Sequence, residues 1–218
     1  MIIYKNNRKL LSRFFISLTD SISSSILDNP YMFNYVRYIL AGKQKGMKTF
    51  IKNNLDKYNC LSVADICSGT GDFAILSQRN AKYVGLDINN DLINFAKKRY
   101  KGHKNKLFIK ENILSSRRHG KFDAVMLIST IHHFSDDELN ILLPNVQKMV
   151  NKVVIIADII PNPPHVLQQF FAKIDRGKFI RPANDKIKIL NKYFKVVATQ
   201  EIPTRSAVQL GIICEKKK

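Results

Sequence analysis

Leu61-Ser62-Val63-Ala64-Asp65-Ile66-Cys67-Ser68-Gly69-Thr70-Gly71-Asp72-Phe73-Ala74 reads as an apolar strand ending in a carboxylate, a tight glycine turn and the start of a helix. A second strand follows, Tyr83-Val84-Gly85-Leu86, and ends in Asp87. A unit of strand, turn, helix, strand and acid builds a nucleotide pocket. In an open α/β sheet, ligands bind beyond the carboxyl ends of the strands, where the strand order reverses. Gly69 and Gly71 permit positive φ and close backbone approach. A helix starting near Asp72 would present free N–H groups. Asp87 stands where a carboxylate accepts both hydroxyls of a ribose.

Outward from this unit the pattern repeats. Strands are expected near 61–66, 82–87, 106–111, 122–128, 152–159, 194–200 and 207–214. Helices are expected near 72–79, 90–100, 136–150 and 183–192. Alternation of this kind implies a mainly parallel sheet with helices on both faces. The last two strands lie close together around Pro203, too close for a parallel crossover, so that pair should be antiparallel. The fold class is α/β: a Rossmann-like, doubly wound, seven-stranded sheet with an antiparallel last strand. Before it, residues 7–27 and about 31–55 read as helices, the first stopped by Asp28-Asn29-Pro30. Residues 161–182 carry Pro161, Pro163, Pro164 and Phe170-Phe171, more than a simple connection needs. The expected organisation is one domain over 1–218. It comprises an N-terminal helical cap (1–57) and a catalytic core (58–218) with a lid insertion at 161–182.

Two ligand classes fit the turn. Gly69-Thr70-Gly71-Asp72-Phe73-Ala74 satisfies the dinucleotide pattern G-x-G-x-x-G/A. Asp65 argues against a dinucleotide, since a carboxylate beside the turn repels pyrophosphate. It suits a ligand carrying an ammonium and a sulfonium. Asp72 also stands where phosphates would need room. A plain reading, Asp72 as a helix cap on an ordinary turn, leaves Asp65, the two glycines and Asp87 unexplained together.

At these residues the chain resembles the class I S-adenosylmethionine-dependent methyltransferases of small-molecule type, over roughly residues 60–160. The family's first motif is an apolar strand, an acid and G-x-G-x-G; here it is Asp65-Ile66-Cys67-Ser68-Gly69-Thr70-Gly71, with Cys67 in place of the first glycine. The resemblance implies S-adenosylmethionine as cofactor. It implies that Asp65 and the turn Cys67, Ser68, Gly69, Thr70 and Gly71 hold the methionine moiety. Asp87 would bind the ribose, and Ile88 would pack on the adenine. Asn112 aligns with an acid that faces the adenine amine, and its side-chain oxygen can accept in the same way. Ile113 would lend a backbone N–H and an apolar wall. Ser129 completes the cofactor-binding set.

Phe122-Asp123-Ala124-Val125-Met126-Leu127-Ile128 reads as a buried strand, and Ser129-Thr130-Ile131-His132-His133-Phe134 follows it. In the family this strand end faces the transferred methyl, and histidines there take a proton from the acceptor, with an ordinary pKa near 6.5. His133 and His132 are the catalytic candidates. One is expected in the cleft and one in a structural role, with His133 first choice for the cleft. Ser135-Asp136-Asp137-Glu138 is a helix-start signal. Asp158 ends the fifth strand and either faces substrate or caps the loop. Asn162-Pro163-Pro164-His165 resembles an amino-methyltransferase signature, but it follows the wrong strand and lacks the aromatic, so it reads as a loop-former.

The chain of 218 residues has a formal net charge of +19, which attracts nucleic acid, acidic lipid or an acidic partner. A Lys-, Asn- and Ile-rich composition without Trp gives the same number by bias alone. The densest basic run, Lys97 to Lys106 with Lys110 beyond, lies away from the expected cleft. Arg117-Arg118-His119 lies in a loop near that run. Phe14-Phe15, Tyr31-Met32-Phe33, Tyr35 and Val166 to Phe171 would roof that cleft with apolar surface. Arg13, Arg37, Lys173, Arg176, Lys178 and Arg181 beside them would meet an anionic head group or membrane surface. Three cysteines without metal spacing suit a reducing interior. No metal is expected, and no run reaches transmembrane length.

The function expected is methyl transfer to oxygen or carbon of a small apolar, lipid-like, quinone or polyketide-type acceptor. The expected location is cytoplasmic, with peripheral contact to an anionic membrane surface as a further partner. The alternatives are an RNA methyltransferase, a non-catalytic adenosylmethionine-binding partner protein and an NAD(P)-dependent oxidoreductase.

Overall fold

The computed structural model describes residues 44–116, 120–161, 178–204 and 207–217. The expected helix over 7–27, the start of the one over 31–55, Arg117-Arg118-His119, the Asn162-Pro163-Pro164-His165 loop and the body of the expected lid lie outside the described residues.

The described chain runs α1 (Lys45–Lys57), β1 (Ser62–Ile66), β2 (Lys82–Asp87), α2 (Asn90–Arg99), β3 (Lys106–Lys110), β4 (Phe122–Ile128), α3 (Asp136–Met149), β5 (Val150–Ile159), α4 (Ala183–Tyr193), β6 (Phe194–Pro203) and β7 (Val208–Lys216). The seven strands form one sheet in the order β3-β2-β1-β4-β5-β7-β6. Pairings from β3 to β5 are parallel, and β7 runs antiparallel to both β5 and β6. The expected Rossmann-like sheet with an antiparallel last strand is the one found.

The central strands are near-continuous apolar runs because both faces are covered. Alternate residues go to opposite faces. Ala64, Ile66, Val125, Leu127, Val154 and Ile156 pack with Leu139, Leu142, Leu143 and Val146 of α3 and Leu190 of α4. Val63, Ala124, Met126 and Ile155 pack on the other face with Met47, Phe50, Ile51 and Leu55 of α1 and Ile93 and Ala96 of α2. Among the described residues no helix is long and apolar enough to cross a membrane.

Helix starts follow the sequence signals. The Asn89 side chain accepts from the backbone N–H groups of Asp91 and Leu92. Ser135 and Glu138 form a reciprocal capping box at α3. Ser135→Ala is therefore expected to lower stability by about 1 kcal/mol, read as a shifted urea midpoint with an unchanged slope.

One expected element is absent. Residues 72–79 are not a helix; they hold a turn and a single 3-10 turn, Ala74–Leu76. The Ala74 carbonyl accepts from the Ser77 hydroxyl at 2.8 Å and from Lys106 Nζ at 2.5 Å. Those two donors occupy the acceptor that a lengthening helix would use. Asp72 is accordingly no helix cap: it pairs with Arg99 and accepts from the Thr70 hydroxyl at 3.1 Å. Lys106, counted above with the basic run, turns inward in the same way, and burial lowers its pKa.

Candidate active site

Because β1, β2 and β4 are parallel neighbours, their carboxyl ends share one edge of the sheet. The chain reverses its strand order between β1 and β4, so the edge is the topological switch point. Left-handed backbone concentrates there: Cys67 has φ 59°, Gly69 54°, Gly71 72° and Ser129 51°. Two of these carry side chains, a conformation uncommon outside glycine and asparagine.

The turn is tied to both neighbouring strands. Ser68 N–H donates to the Leu86 carbonyl at 3.0 Å. Asp87 accepts the Gly69 N–H on one carboxylate oxygen at 2.8 Å and the Asn89 N–H on the other at 2.9 Å. The Tyr100 hydroxyl donates to the Gly71 carbonyl at 2.9 Å. A side chain on Gly71 would lie 2.6 Å from the Phe108 ring, and one on Gly85 would lie 2.7 Å from both Phe108 and the Ser68 oxygen. Close approach of backbone and ring thus sets both glycines. The buried Ser68 hydroxyl makes no hydrogen bond among the described residues.

Asp65 is 1% exposed. In the register, Asp65 lies opposite Gly85, which has no side chain, and Val63 lies opposite Tyr83. Asp65 and Tyr83 are therefore diagonal neighbours on one face, and the Tyr83 hydroxyl donates to Asp65. Burial pushes the Asp65 carboxyl up from 3.8 to about 7; the Tyr83 hydrogen bond opposes this and the Asp87 charge adds to it. Tyr83 itself is raised well above the ordinary tyrosine value by burial and by Asp65.

Ile88, directly after Asp87, leaves 64% of its surface exposed. Asn112 is exposed, and its side-chain oxygen accepts the Leu114 N–H at 3.0 Å. Ile113 is buried, and its carbonyl accepts from the Asn145 amide at 3.2 Å. The structure brings Asp65, Cys67, Ser68, Gly69, Thr70, Gly71, Asp87 and Ile88 together around the β1 and β2 ends. Ser129 adjoins them after β4, and Asn112 and Ile113 follow the outermost strand β3.

The two histidines occupy a 3-10 turn, Ile131–His133, after β4. Thr130 anchors the turn by donating its hydroxyl to the carbonyls of Ile66 and Ile128. His132 is buried and its Nδ1 meets Asp158, while His133 is exposed. Their ring centroids are 4.1 Å apart. Asp158 is fully buried, and among the described residues it pairs with His132 and Lys186. Its second oxygen accepts from Lys186 Nζ at 2.5 Å, and Lys186 also donates to the Ile159 carbonyl at 2.6 Å.

Arg181 corrects a further expectation. It is no surface cation waiting for an anion. Its guanidinium donates to the carbonyls of Ile131, Phe134 and Phe179 and to Asp136. Phe179 N–H donates to the His132 carbonyl at 3.0 Å. The histidine turn is thus braced from outside by Arg181 and from inside by Lys186. Sequence reading missed Tyr83 and Lys186. A tyrosine inside a buried strand is a signal, because its hydroxyl needs a partner. Lys186 stands four residues before the buried Leu190, on the same helix face, which was the available hint.

Residues 63–153 match the methyltransferase domain family. A search by sequence found no match among curated proteins. Solved structures share the fold. Magnesium protoporphyrin IX methyltransferase from Synechocystis PCC 6803 with bound S-adenosylhomocysteine superposes with a TM-score of 0.69 at 17% identity, covering 91% of this chain and 100% of that one. The N-methyltransferase NodS from Bradyrhizobium japonicum WM9, also with S-adenosylhomocysteine, gives 0.65 at 13% identity, covering 81% and 88%. Human N-acetylserotonin methyltransferase with S-adenosylmethionine gives 0.62 at 14%, covering 84% and 58%. Residues 63–153 thus match the methyltransferase domain family, and the described chain shares its fold with solved S-adenosylmethionine-dependent methyltransferases.

Proposed function

We propose that the protein transfers a methyl group from S-adenosylmethionine to oxygen or carbon of a small, apolar acceptor. The observation that carries this reading is the shared edge: a left-handed turn closed by Asp87, a buried carboxyl at Asp65, and an exposed histidine at the end of β4. The donor set fits the cofactor. Asp65 is held near 7 by burial and by Asp87, and a cation beside it relieves both effects. A pyrophosphate there would meet two carboxylates instead. Asp87 has both oxygens directed at the turn and at the start of α2, beside the exposed Ile88, a pairing suited to a ribose and its base.

The cofactor supplies an activated methyl on a sulfonium. The chain's own work is positioning, water exclusion and proton removal. In this reading His133, which is exposed, takes the acceptor's proton; His132 lies in the core beside it. An apolar acceptor is supported by the aromatic segments around Phe14, Tyr31 and Phe170 and by the partly exposed Phe179. Those same segments, with Arg13 and Arg37 among them, suit an acceptor drawn from an anionic membrane surface. The neighbours' named acceptors include a porphyrin and N-acetylserotonin, both small molecules.

The formal charge of +19 favours RNA as the second reading. Thermal shift separates the readings. S-adenosylmethionine and S-adenosylhomocysteine are expected to raise the melting temperature, and Asp87→Ala to abolish the rise. A response to NAD alone would overturn the proposal. Turnover with His133→Gln should fall at least ~100-fold with KM little changed. Turnover that needs RNA and collapses with added salt would favour RNA instead. Cofactor binding without turnover on any acceptor pool would leave a non-catalytic binding protein.

A further inference from the structure

Lys186 is among the least accessible side chains of the described chain, 1% exposed, and nothing in methyl transfer calls for it. A lysine almost never goes fully inside without a partner. Its partner is Asp158, itself 0% exposed, and the other oxygen of Asp158 meets His132 Nδ1. Three ionisable groups therefore meet in the core, with a second imidazole whose centroid is 4.1 Å from that of His132.

Charge balance decides what each group holds. One buried carboxylate neutralises one cation. With Lys186 charged, Asp158 is already matched, and a proton added to His132 would leave a surplus positive charge in the core. Such a surplus is costly to bury. His132 then stays neutral, with its proton on Nδ1 toward the carboxylate. The outer ring inherits the consequence. Two imidazolium rings at this separation repel strongly, so His133 accepts a proton readily only while His132 is uncharged.

We propose that Lys186 is a positioning residue for the histidine pair: by neutralising Asp158 it keeps the inner His132 uncharged and leaves the outer His133 as the pair's proton acceptor. Among the described residues, the charged groups around the pair are Asp158 from β5, Lys186 from α4, Arg181 from the segment before α4, and Asp136 from the start of α3. Arg181 and Asp136 pair with each other, so among the described residues the charges in direct contact with the inner ring's carboxylate are those of Asp158 and Lys186. The role assigned to His133 rests on the methyl-transfer reading; the charge assignment does not.

The test is a pH titration of histidine-labelled full-length protein by NMR, with His132 and His133 assigned through His132→Gln and His133→Gln. It needs neither acceptor nor cofactor, so it fails or succeeds independently of turnover. In the wild type, His132 is expected as the neutral Nδ1–H tautomer at pH 7, with His133 titrating. In Lys186→Met, Asp158 loses its cation and His132 takes the proton instead. His132 should then remain imidazolium past pH 8, and the His133 midpoint should fall by about one pH unit or more. Lys186→Arg should keep the wild-type pattern. The double variant Lys186→Met with Asp158→Asn removes both charges together, a change that buried pairs tolerate better than loss of one partner, and should restore a neutral His132. A charged His132 in the wild type at pH 7 overturns the proposal whatever the variants do. So does a charged His132 in the double variant, or an unmoved His133 in folded Lys186→Met.

Discussion

Asp65→Asn is expected to stabilise the ligand-free protein and to destroy its response to S-adenosylmethionine. The amide is close in shape to the carboxyl, and its oxygen still accepts the Tyr83 hydroxyl. What it removes is a carboxyl raised from 3.8 to about 7 in the folded state, chiefly by burial. The sign follows from proton linkage. Between these two values the folded protein binds more protons than the unfolded chain, so wild-type stability falls as pH rises through this window. The deficit is absent well below 3.8 and complete above 7. It amounts to on the order of 4 kcal/mol. Urea unfolding at pH 4, 6 and 8 should show Asp65→Asn and wild type converging in acid and diverging toward pH 8. A pH-independent difference would sink the argument. Cofactor binding should run the opposite way. An ammonium needs the carboxylate, so wild-type affinity should drop about tenfold from pH 8 to pH 6, and Asp65→Asn should bind at least ~100-fold more weakly. Isothermal titration reads both.

Gly71→Ala carries the other large effect, with Gly102→Ala as its control. Gly71 has φ +72° and Gly102 has φ +94°, so both substitutions strain the backbone. Only Gly71 also lacks space. An added Cβ would lie 2.6 Å and 2.8 Å from two Phe108 ring atoms and 3.2 Å from Tyr100, whereas nothing lies within 4 Å at Gly102. Phe108 has no easy retreat, being stacked on Tyr100 at 5.4 Å and packed against Tyr83 at 5.7 Å. The backbone contribution is about 1 kcal/mol and overpacking adds about 2 kcal/mol more. Gly71→Ala should therefore cost about three times as much stability as Gly102→Ala, and should also weaken cofactor binding. Adding Phe108→Leu should recover part of the first loss and none of the second substitution's. Equal losses at the two glycines would mean that backbone strain alone matters.

The sheet was legible because its strands advertise themselves. Val125 to Ile128 and Val153 to Ile156 are apolar without interruption, as strands covered on both faces must be. The Cys67 to Gly71 turn was legible through its glycines and through the acids that end β1 and β2. Other features depend on partners distant in sequence. The missing helix at 72–79 fails because Lys106, on another strand, reaches the Ala74 carbonyl. Tyr83 meets Asp65 only once the β1–β2 register is set. The two adjacent histidines look equivalent in sequence. What separates them is that His132 meets Asp158 in the core, where Lys186 of α4 reaches the same carboxylate, a meeting of three distant segments. Arg181 looked like a free surface cation because four of its acceptors are backbone carbonyls or a helix-start carboxylate, which composition does not reveal.

The bracing of the histidine turn has an evolutionary consequence. The chain between β5 and α4 leaves from Ile160, whose N–H donates to the Val208 carbonyl, and returns at Phe179 and Arg181, bound beside His132. Both attachment points belong to the sheet and the histidine turn. The two ends of the intervening sequence are thus fixed to the fold independently of what lies between them. Doubling its length costs only about 0.6 kcal/mol of closure entropy. On the proposed reading, a change of acceptor preference would be sought first in sequence changes between these two anchors, with the anchors at Ile160, Phe179 and Arg181 kept.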